Sequence, residues 1–164
     1  MLVGAISDTH DNLRMIDKAI RRLNEEQVSL VLHAGDYVSP FVIPRFKALS
    51  ARLVGVLGNN DGDPERLRKQ FSETQNCELR GRFTLVDVEG FRIALLHGDE
   101  AELLNTLAGC GNLDAVVHGH THTNASNSDK TLVVNPGEIC GYLTGKPTLA
   151  LLDTRRREVR IVRI

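Results

Sequence analysis

Six short apolar runs in this chain each end on a residue of metal-binding type, or on the loop that carries one. They are Ile6-Ser7-Asp8-Thr9-His10, Leu32-His33-Ala34-Gly35-Asp36, Leu57-Gly58-Asn59-Asn60-Asp61, Leu96-His97-Gly98-Asp99, Val117-His118-Gly119-His120-Thr121-His122 and Val134-Asn135-Pro136-Gly137-Glu138. Carboxylate oxygens and imidazole nitrogens together suit Mn, Fe, Ni or Zn. Ligands of open-sheet proteins gather beyond strand ends. Asp8 and His10 are spaced i, i+2, as are His120 and His122. If the chain stays extended past its strand, such a pair projects to one side. Singly, each motif has a plainer meaning. Asp8-x-His10 reads as a helix cap with a surface histidine, and Asp36 and Asn59–Asp63 read as turns. One histidine reads as a satisfied core residue. Those readings do not account for His10, His97, His120 and His122 all standing just past strand ends, so the set reads as one metal site. His33 and His118 come slightly earlier and read as core residues or as groups that orient ligands. Arg155-Arg156-Arg157 reads as a solvated turn.

The elements that position these residues follow from periodicity. Leu2–Ile6, Ser29–Leu32 and Arg52–Leu57 read as buried strands. They alternate with helices: one capped by Asp11 with Leu13, Ile16, Ile20 and Leu23 on a face, one opened by Ser39-Pro40, and one opened by Asp63-Pro64 that ends near Phe71. Such alternation is the signature of parallel pairing. Phe83–Val88 and Phe91–Leu96 flank Glu89-Gly90, a two-residue hairpin connection. Asp99 and Glu102 have capping-box spacing before Leu103, Leu104 and Leu107. Leu113–Val117, Leu132–Val134, Thr148–Leu152 and Val159–Val162 complete the strands. The stretches 121–130 and 135–147 read as irregular.

At 164 residues the chain suits one domain, residues 1–164, with a sizeable core. No apolar run approaches a membrane span, and the start lacks a basic leader. A net charge of −1 gives no case for a nucleic-acid coat or an anionic membrane. Cys77, Cys110 and Cys140 form no CxxC pair, so a disulfide framework or thiolate zinc site is not expected and a reducing cytoplasm is.

The ordered set Asp8-x-His10, Gly35-Asp36, Gly58-Asn59-Asn60-Asp61, His97-Gly98 and Gly119-His120-Thr121-His122 resembles the calcineurin-like metallophosphoesterases. Chain length and Asn135-Pro136-Gly137 are most similar to the small phosphodiesterases of the YfcE type. The resemblance implies an α/β fold, a four-layer α/β/β/α sandwich with two mixed β-sheets. It implies two divalent metal ions, Mn²⁺ or Ni²⁺ foremost, with Fe, Co or Zn as alternatives. Asp8, His10, Asp36 and His122 would hold one; Asp36, Asn59, His97 and His120 the other. The implied activity is metal-dependent hydrolysis of phosphate esters, foremost diesters, by a water activated at a dinuclear centre. Asp36, Asn59 and Asn60 would be its catalytic residues. Asn60 stands where many members carry a histidine; it can donate a hydrogen bond but no proton at neutral pH. Glu138 replaces the family's serine and would add negative charge near an approaching phosphate. The expected partner is a small phosphate ester; a nuclease would need a basic groove. A homo-oligomer stays open, and a non-catalytic protein-binding scaffold of the same fold is the alternative function.

Overall fold

The structure, a computed structural model, describes residues 1–127 and 130–164. One sheet has six strands: β1 (Leu2–Ile6), β2 (Leu30–His33), β3 (Arg52–Gly55), β4 (Cys77–Leu79), β10 (Thr148–Asp153) and β11 (Glu158–Arg163). Their order is β11-β10-β1-β2-β3-β4. The other sheet has five: β5 (Phe83–Val88), β6 (Phe91–Leu96), β7 (Ala115–Val117), β8 (Ala125–Ser126) and β9 (Leu132–Asn135). Their order is β5-β6-β7-β9-β8. Helices α1 (Leu13–Glu25), α2 (Pro64–Glu73) and α3 (Ala101–Gly109) and a run of 3-10 turns over Pro40–Ala48 complete the fold. Both sheets are mixed. β1, β2 and β3 run parallel, as do β6, β7 and β9, while β10, β11, β5 and β8 pair antiparallel.

Side chains alternate across each strand, and this builds three apolar layers. Ile6, Val31 and Leu53 face Ile16, Ile20 and Leu23 of α1, Val42, Ile43 and Phe46 of the 3-10 run, and Leu67 and Phe71 of α2. Their strand neighbours Val3, Ala5, Leu32 and Val54 turn inward against Ile93, Leu95, Ala115, Val117 and Val134. Ala94, Leu96 and Val116 face outward, under Leu104, Leu107 and Leu113. Each fully buried Val, Leu, Ile or Phe contributes about 1.5–3 kcal/mol, so this alternation fixes the register of both sheets. The result is the expected four-layer arrangement.

Several local expectations shift. Asn12, not Asp11, caps α1, its side chain accepting from the Met15 amide. Asp11 instead accepts from the Ser39 amide at 2.9 Å. Pro44 lies inside the segment opened by Ser39-Pro40, and the segment forms 3-10 turns rather than an α-helix. Glu100, not Asp99, precedes α3, with no side-chain cap bond. β3 stops at Gly55, and β4 and β8 were not foreseen. The last lies inside the stretch read as irregular, of which residues 128 and 129 lie outside the described residues. The Glu89-Gly90 turn is as read: both residues have positive φ, 54° and 84°, as a tight hairpin requires.

Candidate metal centre

Because β1, β2 and β3 are parallel, the loops after them emerge at one edge of their sheet. The loops after β6, β7 and β9 emerge likewise from theirs. Backbone hydrogen bonds stitch these loops together. Asp8 N donates to Gly35 O, and Thr9 N and His10 N both donate to Asp36 O, each at 3.1 Å. Gly119 N donates to His97 O at 2.8 Å, and Ile139 N and Cys140 N donate to Ser7 O and Asp8 O at 3.0 Å. His120 N donates to Asp8 Oδ2 at 3.2 Å. Two glycines permit this proximity. A Cβ on Gly58 would overlap Asp36 Oδ1 and stand 2.6 Å from the Asp36 amide; one on Gly119 would overlap Ser7 Oγ and stand 2.6 Å from Asp8 Oδ2.

The i, i+2 pairs do not converge by staying extended. Asp8, His10, Asp36, His120 and His122 have left-handed φ of 53°, 38°, 61°, 68° and 60°. Five of the seven expected ligands thus occupy a conformation that costs of order 1–3 kcal/mol and persists only where surroundings impose it. At Asp8, His10, Asp36 and His120 cross-loop hydrogen bonds impose it.

The side chains meet closely. His10 Nε2 is 3.7 Å from Asp8 Oδ1 and 3.4 Å from Asp36 Oδ2. His122 Nε2 is 3.4 Å from Asp8 Oδ1, and His97 Nε2 is 3.3 Å from Asp36 Oδ2. These exceed the 2.7–2.9 Å of charge-assisted hydrogen bonds. They match the roughly 3.4 Å between atoms that share one tetrahedral centre at about 2.1 Å. Asp8 Oδ1, His10 Nε2 and His97 Nε2 are buried without a hydrogen-bond partner. Among the described residues no Lys or Arg pairs with Asp8 or Asp36. A buried carboxylate needs a counter-charge, and the donor set fits divalent cations. Asp8, His10 and His122 offer ligand atoms within 4.8 Å of one another, and so do Asp8, Asp36 and His97. A third group, His122, Glu138 and Cys140, already satisfies itself through internal hydrogen bonds.

Histidine tautomers follow from partners. His97 Nδ1 lies 2.8 Å from Ala34 O. A carbonyl only accepts, so Nδ1 holds the proton and Nε2 presents a lone pair to Asp36. That arrangement is repulsive unless a cation or a proton intervenes. Burial lowers the His97 pKa, but the Asp36 carboxylate more than offsets this and raises it. The Asp8 carboxylate raises that of His10. Burial alone would lift Asp36, yet His97 and Asn60 beside it hold it well below the usual carboxylate range. Burial pushes His33 down to about 3, so it is neutral. Its Nδ1 accepts from Gly35 N at 3.1 Å, and its Nε2–H faces Thr9 Oγ1 at 3.2 Å, which donates to Asp36 O. His33 thus secures the loops around Asp36. The His118 ring packs beside Gly98, and its Nδ1 meets Gly119 O at 3.2 Å.

Asn59 and His120 stand slightly apart, bonded to each other at 3.0 Å; the His120 ring meets that of His97 edge-on, centroids 5.2 Å apart. Asn60 turns to Asp36, its amide nitrogen donating to Oδ1 at 2.9 Å and its side chain to Oδ2 at 2.8 Å. Glu138 does not face a phosphate approach. It is fully buried and bonds His122 Nδ1 at 2.7 Å. Burial opposes its ionisation, but His122 and Thr144 hold its pKa at about 2. Asp61 was not singled out in the sequence. Its carboxylate accepts from Gly58 N at 2.7 Å, Val38 N at 2.8 Å and Asp36 N at 3.1 Å, which ties the Asp36 loop to the Asn59 loop. Its surroundings in sequence, Gly58-Asn59-Asn60-Asp61-Gly62-Asp63, look like any polar turn. Arg155–Arg157 do form the β10–β11 turn, with Arg157 pairing Asp114 at 2.7 Å. No helix among the described residues is long and apolar enough to cross a membrane.

Comparison with known proteins identifies the chain's relatives. A phosphodiesterase of Methanocaldococcus jannaschii is 40% identical over 161 residues, covering 98% of this chain and 97% of that protein. A solved structure of an archaeal phosphodiesterase superposes with a TM-score of 0.94 at 39% identity over the whole of both chains. YfcE, a phosphoesterase from E. coli, shares the fold: TM-score 0.69 at 19% identity, covering 99% of this chain and 98% of that one. The profile of the calcineurin-like phosphoesterase superfamily domain matches residues 1–157, and the chain belongs to that family.

Proposed function

We propose that the protein is a metal-dependent phosphodiesterase that works as a single catalytic domain with two divalent cations, Mn²⁺ or Ni²⁺. In this reading Asp8, His10, Asp36 and His122 would hold one cation and Asp36, Asn59, His97 and His120 the other, with the Asp36 carboxylate shared between them. The observation that carries it is the convergence of Asp8 Oδ1, His10 Nε2 and His97 Nε2, buried and unpartnered, around Asp36. The 40% identity to a phosphodiesterase over nearly the whole chain supports the substrate class. When bound, the cations would supply an activated water and neutralise charge on the phosphoryl oxygens. The chain's own part is positioning. Asn60 holds both oxygens of Asp36 through its backbone and side-chain amides. Asp61 holds the Asp36 and Gly58 amides at one spacing.

Asn60 has no transferable proton, so the leaving group must depart with little help. General acid catalysis gives roughly 10²–10⁴-fold and matters most for basic leaving oxygens. The substrate is therefore a small diester with an acidic leaving group rather than an alkyl monoester, met in the cytoplasm. The test is hydrolysis of bis-aryl phosphate and of alkyl monoesters by chelator-treated protein reconstituted with Mn²⁺, Ni²⁺, Co²⁺, Fe²⁺, Zn²⁺ or Mg²⁺, with metal content measured. Diester turnover that needs about two cations per chain is expected. Turnover unchanged after chelation, or full activity with one cation per chain, overturns the reading.

A further inference from the structure

Glu138 stands outside the seven expected ligands, yet it is fully buried and surrounded by donors. Its Oε2 lies 2.7 Å from His122 Nδ1 and 3.1 Å from Cys140 Sγ. Its Oε1 accepts from Thr144 N at 2.6 Å and Thr144 Oγ1 at 2.7 Å. The Leu143 amide reaches both oxygens, at 3.1 and 3.2 Å. On the far side of the imidazole, His122 Nε2 is 3.4 Å from Asp8 Oδ1. A carboxylate only accepts. Its bond therefore requires the proton on Nδ1 and leaves the Nε2 lone pair toward Asp8.

We propose that Glu138 is a positioning residue that locks His122 in the Nδ1–H tautomer, aiming Nε2 at the metal site, and ties the segment around Leu143 and Thr144 to the same imidazole. The proposal rests on the reading of His122 as a metal ligand. A carboxylate behind a ligating imidazole fixes its orientation and raises its basicity, and loss of such a partner costs 10–100-fold in metal affinity.

Glu138→Gln separates the two tasks. The amide has one oxygen and one NH₂ group. The Thr144 backbone amide, which can only donate, points at the Oε1 position at 2.6 Å, while the Thr144 hydroxyl and the Cys140 thiol can turn to accept, so the oxygen stays there. The NH₂ group then occupies the Oε2 position and faces His122 Nδ1. Two donors cannot pair, so the imidazole must move its proton to Nε2, where it blocks a cation. Glu138→Ala instead releases both the imidazole and the segment.

The experiment reads the ¹⁵N shifts of the histidine rings in metal-free protein at pH 8, with His122 assigned by the signal lost in His122→Ala. The parent should show Nδ1–H at His122 and Glu138→Gln should show Nε2–H. An Nε2–H tautomer in the parent overturns the proposal without reference to any variant's folding, and so does an Nδ1–H tautomer in folded Glu138→Gln. Calorimetric titration with Mn²⁺ should show a 10–100-fold weaker site in Glu138→Gln; unchanged affinity overturns it. Hydrogen exchange at Leu143 and Thr144 should stay slow in Glu138→Gln and become fast in Glu138→Ala; equally slow exchange in both overturns the tie to that segment. If His122→Ala binds Mn²⁺ as tightly as the parent, the ligand reading fails, and the tautomer result separates that failure from this one.

Discussion

Asp61 is the residue whose removal should reveal how the two loops of the first sheet are held. Its carboxylate is the acceptor for three backbone amides, those of Asp36, Val38 and Gly58. Asp36 and Gly58 are buried, whereas Val38 is partly open to water. In Asp61→Ala water can serve the Val38 amide, but two donors are orphaned at about 1–3 kcal/mol each. Burial raises the Asp61 pKa, so the ionised side chain is itself costly to bury, and its removal returns part of that loss. The net expectation is about 2–4 kcal/mol of destabilisation. Asp61→Asn differs. Its oxygen can serve Gly58 and Asp36 while its NH₂ group faces Val38, so one bond to a hydratable amide is lost and the buried charge disappears. The expected loss is about 1 kcal/mol or less. At roughly 2–4 °C per kcal/mol for a chain of this size, the alanine variant should melt about 4–16 °C below the parent and the asparagine variant within about 4 °C of it. Urea denaturation at pH 7 in a chelator measures both without metal linkage. Equal losses in the two variants would refute the assignment of Asp61 as the common acceptor.

Asp36→Asn should lower kcat by at least about 10³-fold with the fold retained, because a neutral amide weakens the one carboxylate shared by both proposed cations; steady-state kinetics at matched metal content check this, and near-normal kcat would refute the bridging role. Gly119→Ala should cost about 1–3 kcal/mol by overpacking against Ser7 and Asp8 and should weaken Mn²⁺ binding, whereas Gly109→Ala, whose Cβ meets nothing within 4 Å at the end of α3, should stabilise by about 0.5–1 kcal/mol. Thermal melts of the pair compare them directly. Arg80, with Arg52, holds the Glu78 carboxyl at about 2 against an ordinary 4.5. The folded value is the lower one, so the stability it lends is present above about pH 4.5 and lost as pH falls toward 2. Solvent screening of this exposed group limits it to below about 1 kcal/mol. The stability gap between parent and Glu78→Gln should therefore shrink between pH 5 and pH 2.5 in urea titrations, and a gap that widens would contradict the pairing.

The expected ligands were legible because a polar metal-binding side chain directly after a buried strand is a local pattern, and seven such positions fall in one order along the chain. Their backbone geometry was not. Left-handed φ at Asp8, His10, Asp36 and His120 is imposed by hydrogen bonds from loops far away in sequence, which no local propensity reports. Asp61 was hidden because its neighbours have ordinary turn composition, and the identity of its three donors depends on tertiary docking. Glu138 was visible as a residue but its direction was not, since that is decided by the donors it meets in the fold, His122 and Thr144 among them. The layers of the fold were readable from two- and 3.6-residue periods. β4 and β8, three and two residues long, are too short for any period to register. Pro44 shows the same limit in a helix: the capping signal at Ser39-Pro40 was correct, and the interruption four residues later altered the kind of helix.

Strand β1 carries a consequence for how the molecule is born. Its N-terminal residues form an inner strand of the six-stranded sheet, with Val3–Ile6 against β2 on one side and Leu2–Ala5 against β10 on the other. The first partner, β2, follows β1 within some thirty residues, the second only when residues 150–153 have left the ribosome. Until then the growing chain carries an open, apolar edge in what will be the middle of a sheet, which is a template for pairing with the wrong chain. The site inherits the same timing, since Asp8 must meet the His120 amide and Asn12 the Cys140 carbonyl across most of the sequence. The proposed cation site is therefore assembled only after the loops that carry His120 and Cys140 have docked on those that carry Asp8 and Asn12.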